Sequence, residues 1–266
     1  CPPCAPVPGD GGWAGAVFSS PGRDISLAWG DDDRPKTVNV SPLSTSPSYR
    51  YFEGLYRQDS RIVLGGRPPY VFRTDDRAFA ALGSLPAGGS SRLLGNELVY
   101  GTDESPGRVL SVNVLDGART VLADDLSGPI VDFTIDVSTR DLVWTADPQN
   151  GANEVQLWVM SFGIDGGAPT KRLLTTLAET GFTRGLAANG GVVVVPLYFD
   201  GSAILVDTKT AAITAIPSEP DRALMTPLWV NDRDVWFLAS SVLPGQPGYP
   251  NSSGIVRLSR SHLQKP

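Results

Sequence analysis

An all-β chain built from a repeated antiparallel unit is the fold class this sequence predicts, on three observations. The 29 Gly and 23 Pro make nearly a fifth of the 266 residues and are spread along the chain, which suits many short strands joined by turns and leaves little room for long helices. Apolar stretches of strand character recur as AVFSS from residue 16, IVLGG from 62, LVYGT from 98, LVWTA from 142, VVVPL from 193 and VWFLA from 235, at steps of 46, 36, 44, 51 and 42 residues. Two longer stretches match each other in turn and spacing, SPGRDISLAWGDDDRPKTV from residue 20 and SPGRVLSVNVLDGARTV from residue 105. Each leads from Ser-Pro-Gly-Arg into a strand.

The elements of one repeat follow in order. In SPGR the proline presets φ, the glycine is expected to supply a positive φ, and Val109, Leu110, Val112 and Val114 then read as a half-buried strand. A second polar turn, GDDDRPK from residue 30 or DGAR from 116, sends the chain back. Residues 129–177 read as a whole unit with strands near 130–135, 142–146, 154–162 and 170–177, and the equivalents of its first turn are QDSR from 58, GNE from 95, ANGG from 188 and NDRD from 231. The unit is a four-stranded antiparallel meander. Such a sheet cannot bury both faces alone, so neighbours must cover it. Passing from residue 235 through the C-terminus to residue 16 covers 47 more residues, in step with the internal intervals. The expectation is a ring of six equivalent sheets, a six-bladed β-propeller over residues 13–266 behind a Pro/Gly-rich leader at 1–12. Its ends fit least well: the last unit shows three clear strands, and the first lacks a good innermost strand because prolines precede it.

Here a resemblance becomes specific. The stretch from Leu98 to Asp147 is similar to the YWTD repeat of low-density-lipoprotein-receptor-type propellers, with Leu142, Trp144, Thr145 and Asp147 in the tetrapeptide region around an inserted Ala146, and Leu115-Asp116-Gly117 as the turn. The remaining units keep only the hydrophobic outline, so the resemblance is to the broader six-bladed, TolB-like superfamily. It implies a rigid platform for protein partners.

Composition narrows the chemistry. Apolar residues at 41% and charged residues at 19% are those of a folding chain, and a formal charge of −6 with no basic stripe argues against a nucleic-acid partner. The longest apolar run, residues 192–199, is broken by Pro196 and is far shorter than a spanning helix. The single histidine, His262, sits in the C-terminal tail, and both thiols, Cys1 and Cys4, lie in the leader, so the supply for a zinc or iron site is missing. There is no Gly-x-Ser-x-Gly elbow. Catalytic residues are therefore not assigned.

The leader CPPC has three readings. Cys1 resembles the lipid-bearing cysteine of a processed bacterial lipoprotein, where acyl chains contribute roughly 0.8 kcal/mol per buried CH₂. Alternatively the thiols are free or bridged locally. A redox CxxC is disfavoured because Pro2, Pro3, Pro6 and Pro8 preclude the helix N-terminus such thiolates use, and haem attachment fails because residue 5 is alanine. The first reading places the protein outside the cytoplasm, tied to a membrane through Cys1.

Carboxylates are the remaining stock for a metal. Asp132, Asp136 and Asn231, with Asn96, Glu97 and Asp234, lie in or near inner hairpins and are the weak candidates for Ca²⁺, a hard cation that takes oxygen ligands. Most occupy tight turns, where such side chains cap the backbone. Asp31, Asp32 and Asp33 read as a solvated hairpin tip. Tyr49, Tyr51, Phe52 and Tyr56 cluster within eight residues, and Tyr249 lies in a long loop from Leu243; these are the candidate partner-binding residues, against the bland reading that strand alternation buries half of the cluster. The expected function is a non-enzymatic, extracytoplasmic protein-binding scaffold of an envelope assembly, without a cofactor. The alternatives are a calcium-dependent hydrolase or lactonase using pore carboxylates, and a propeller that binds a sugar or other small ligand.

Overall fold

The computed structural model describes residues 7–9, 12–19, 24–30, 36–39, 54–58, 60–65, 69–82, 91–102, 106–126, 128–148, 154–161, 169–178, 185–197, 201–218, 221–242 and 254–263, with the backbone course alone at 7–9, 12–19, 24–25, 54–58, 65 and 125. Among the described residues the strands fall into six antiparallel sheets, five of four strands and one of three. The chain divides into two compact units: Cys1–Thr102 with Arg108–Asp124, and Asp103–Gly107 with Asp125–Pro266.

The first unit carries three sheets. They are β1 (Val7–Gly9), β2 (Gly12–Ser19), β3 (Asp24–Gly30) and β4 (Lys36–Asn39); β5 (Gly54–Gln58), β6 (Arg61–Gly65), β7 (Tyr70–Arg73) and β8 (Ala78–Ala81); and β9 (Ser91–Leu94), β10 (Glu97–Gly101), β11 (Gly107–Asn113) and β12 (Arg119–Leu126). Strand β6 shows why these sheets stack. Side chains alternate across a strand, so Ile62 and Leu64 meet Leu27, Trp29 and Phe72 on one side, while Val63 meets Leu98, Tyr100, Val112 and Val114 on the other. Trp29 stands edge-on to Phe72, with ring centroids 4.9 Å apart.

The second unit repeats the scheme with β13 (Ile130–Asp136), β14 (Asp141–Ala146), β15 (Glu154–Ser161) and β16 (Thr170–Ala178); then β17 (Ala187–Asn189), β18 (Val192–Leu197), β19 (Ser202–Asp207) and β20 (Ile213–Ile216); then β21 (Ala223–Val230), β22 (Asp234–Ser240) and β23 (Gly254–Ser259). The valine run of β18 is divided between two cores. Val193 and Val195 pack with Val143, Leu157 and Val206, and Val192 and Val194 with Leu224, Val235 and Phe237. A continuous apolar run is what a strand covered on both faces requires.

The sequence located the strands of the sheet from β13 to β16 to within a residue or so. The last sheet has the three strands read there from the sequence: after β23 the chain enters a helical turn, α1 (Arg260–Leu263), and Leu263 packs against the adjoining core. Two details differ. The first sheet does have an innermost strand, because β1 lies at the edge of the sheet, where proline is tolerated, and Val7, Pro8 and Gly9 stand opposite Ala14, Trp13 and Gly12; these residues were expected in the leader. Finally, Gly107 is not among the glycines of positive φ. Its place is set by crowding, since a Cβ there would lie 2.7 Å from the carbonyl oxygen of Gly128, which accepts the Gly107 N–H at 3.1 Å.

Candidate functional site

Asp132 and Asp136 are four residues apart on β13, and both are fully buried. Burying a carboxylate is costly unless donors replace its water. For Asp132, Oδ2 accepts the Gly185 N–H at 2.5 Å and the Leu186 N–H at 3.0 Å, and Oδ1 accepts the Phe133 N–H at 2.9 Å. For Asp136, Oδ2 accepts the Gly191 N–H at 2.7 Å, and Oδ1 accepts the Ser138 hydroxyl at 2.6 Å, the Ser138 N–H at 3.0 Å and the Thr139 N–H at 3.3 Å. Ser138 Oγ in turn accepts the Gly190 N–H at 2.9 Å. The two carboxylates thus grip the backbone just before and just after β17 and fasten one sheet to the next. Burial pushes the Asp136 pKa up and is the largest single influence, but the Ser138, Gly191 and Thr139 donors together outweigh it and hold the group below its ordinary 3.8. This is backbone chemistry. Among the described residues no three His, Cys, Asp or Glu side chains come together as a metal site.

Asn231 has the same kind of role. Its Oδ1 accepts the N–H groups of Arg233 at 2.9 Å and Asp234 at 2.8 Å, closing the turn between β21 and β22, and its carbonyl oxygen accepts the Arg260 guanidinium at 2.9 Å. Asn189 Nδ2 donates to the Val230 carbonyl at 3.1 Å, tying β17 to β21.

A different chemistry appears on one face of the β21–β23 sheet. Cross-strand register places Trp229, Trp236 and Arg257 in one row, with Leu238 and Ile255 paired beside it. The opposite face sends Val235, Phe237 and Val256 into the core, so alternation leaves this row facing outward. Trp229 and Ile255 are each 59% exposed, and Trp236 and Leu238 are half-buried. The Arg257 guanidinium lies 5.4 Å from the Trp236 ring centroid and donates to Asp234 Oδ2 at 2.7 Å. Held by a carboxylate on one side and an aromatic face on the other, it is a positioned cation among apolar groups. Aromatic and arginine side chains of this kind carry most of the energy in protein recognition.

Cys1, Tyr49, Tyr51, Phe52 and Tyr249 lie outside the described residues, as do Asp31, Asp32 and Asp33, and of Tyr56 only the backbone is described, opposite Val63 in β5. Glu97 accepts a hydrogen bond from the Asn113 side chain at 2.8 Å. His262 is exposed on α1. The row of Trp229, Trp236, Ile255 and Arg257 was missed, although the alternation of VWFLAS from residue 235 carries a signal: if Phe237 is inward, Trp236 is outward. No helix among the described residues is long and apolar enough to cross a membrane.

No family model and no curated protein matches this sequence. Solved structures do match. A puromycin hydrolase aligns with a TM-score of 0.61 at 15% identity over 89% of this chain and 43% of its own. TolB from Acinetobacter baumannii gives 0.54 at 14% identity, over 82% and 55% of the two chains, and the nidogen/laminin complex gives 0.53 at 15% identity, over 79% and 76%. This chain therefore spans less than half the length of the hydrolase it matches. A solved β-propeller domain matches in the same range, and what these likenesses show is an all-β propeller fold.

Proposed function

We propose that this chain is a non-enzymatic, extracytoplasmic β-propeller that serves as a protein-binding scaffold subunit of an envelope assembly. The observation that carries the proposal is the outward row of Trp229, Trp236, Ile255 and Arg257 on a sheet whose other face is anchored in a core. A rigid frame presenting aromatic groups and a held guanidinium binds a polypeptide with little loss of side-chain entropy. The buried carboxylates support the same reading, since their oxygens are engaged by backbone donors that join neighbouring sheets. The likeness to TolB and to a chain of the nidogen/laminin complex supports an extracytoplasmic setting.

Crosslinking in the native envelope tests the role. A reproducible protein neighbour is the expected result, and its absence under conditions that capture other subunits would sink the proposal. A lipid tether on Cys1 is proposed from the CPPC leader, and intact-mass measurement of the natural N-terminus decides it. An unmodified thiol refutes the tether without touching the platform.

A further inference from the structure

The outer edge of β23 stands apart from its equivalents. In the other five sheets the third strand pairs with a fourth; among the described residues no strand lies beyond β23. Two contacts turn the chain away from that position. The Arg260 N–H donates to the Arg233 carbonyl at 2.7 Å and the Arg260 guanidinium to the Asn231 carbonyl at 2.9 Å, so the backbone is held at the β21–β22 turn and enters α1.

The direction of the backbone groups along this edge follows from the same bond. The Arg260–Arg233 contact extends the ladder one pair beyond Ser259 and Asp234, and bonded pairs alternate in an antiparallel sheet. Leu258, Val256 and Gly254 therefore bond inward to β22. Ile255, Arg257 and Ser259 turn their N–H and C=O groups to the far edge. These are the residues whose side chains share the face of Trp236 and Leu238, so edge and apolar row are continuous. Residues 254–263 contain Arg257 and Arg260 and no Asp or Glu, within a chain of net charge −6.

We infer that β23 accepts a fourth strand from a partner protein: an extended segment with apolar side chains at alternate positions and acidic residues at its ends. The backbone of the segment completes the ladder at Ile255, Arg257 and Ser259, its apolar side chains cover Ile255 and extend the row toward Trp236, and its acidic ends meet the basic stretch. Strand addition of this kind draws affinity from main-chain bonds and specificity from alternate side chains. The inference deepens the scaffold reading and rests on it for the biological partner, while the edge itself is testable alone.

The test uses the full chain with the peptide Glu-Val-Thr-Val-Thr-Val-Glu and its counterpart flanked by Lys. Amide hydrogen exchange should show new protection at Ile255, Arg257 and Ser259 with the acidic peptide, and the Lys-flanked peptide should bind at least about tenfold more weakly. Ile255→Pro removes an outward N–H and should abolish binding. Ile255→Asp alters an exposed side chain, keeps the fold intact by circular dichroism, and should weaken binding at least about tenfold. Absence of protection at the edge, or binding indifferent to both substitutions, overturns the inference. So does equal protection in concentrated protein without peptide, which would mean that a second copy fills the edge. A native partner crosslinked elsewhere on the surface overturns this edge as its site and leaves the scaffold reading standing; failure to capture any partner removes that reading while peptide protection still reports on the edge.

Discussion

Strands β14 and β22 occupy equivalent places in their sheets and meet opposite fates. All six residues of β14 are buried: Val143 packs into one core, while Trp144, fully buried on the other side of the strand, stacks with Trp158 at 6.1 Å. In β22 the residues Val235, Phe237 and Ala239 are buried, but Trp236 and Leu238 are only half covered. Both strands carry a continuous apolar stretch, residues 142–144 in β14 and 235–239 in β22. The difference teaches that coverage by neighbours, and not the strand's own composition, decides whether an aromatic side chain is core or surface.

The largest test of this contrast is truncation of the two tryptophans. Trp144→Ala should cost about 3–5 kcal/mol in urea unfolding, as expected for a large fully buried aromatic, and Trp236→Ala about 1–2 kcal/mol. Equal losses would break the comparison. Next in size is Asp132→Ala, which leaves the Gly185 and Leu186 N–H groups without their acceptor inside the protein and should cost about 2–3 kcal/mol. Faster amide exchange at Gly185 and Leu186 than elsewhere in their sheet would place the damage where the geometry puts it.

Asp136 adds a pH dependence. Its pKa is lowered in the folded state from a reference of 3.8, so its contribution is present above that reference and is lost as pH falls through the lower folded value. The stability difference between the natural protein and Asp136→Asn should be constant from neutral pH to about pH 5 and shrink below about pH 4. A difference that instead grows on acidification would reverse the sign. Trp229→Ala should have the smallest effect, within about 0.5 kcal/mol, because the ring is largely in solvent; a loss comparable to that of Trp144→Ala would mean the row is covered in the folded protein and is not a binding surface.

How much of this was legible beforehand depends on the range of the interaction. The turn at Asn231 could be read because an Asx side chain caps a backbone two or three residues away, and the strands from β13 to β16 could be read from their separators. The role of Asp132 could not, since its donors at Gly185 and Leu186 are more than fifty residues distant. Gly107 was assigned to turn geometry, whereas it is the approach of Gly128 that demands a residue without a side chain. Tyr56 and its aromatic neighbours attracted notice by density in sequence; the exposed row came from three different strands, each contributing one or two members.

The amino-acid order alone determined the alternation of strand and turn, the length of the repeat and the need for sheets to cover one another, because backbone propensity, turn chemistry and side-chain alternation act over a few residues. Tertiary structure decided which faces are covered, which carboxylates clasp a neighbouring sheet and where, among the described residues, a ladder ends. Those outcomes depend on surfaces brought together from distant parts of the chain, and no local pattern records what a face will meet.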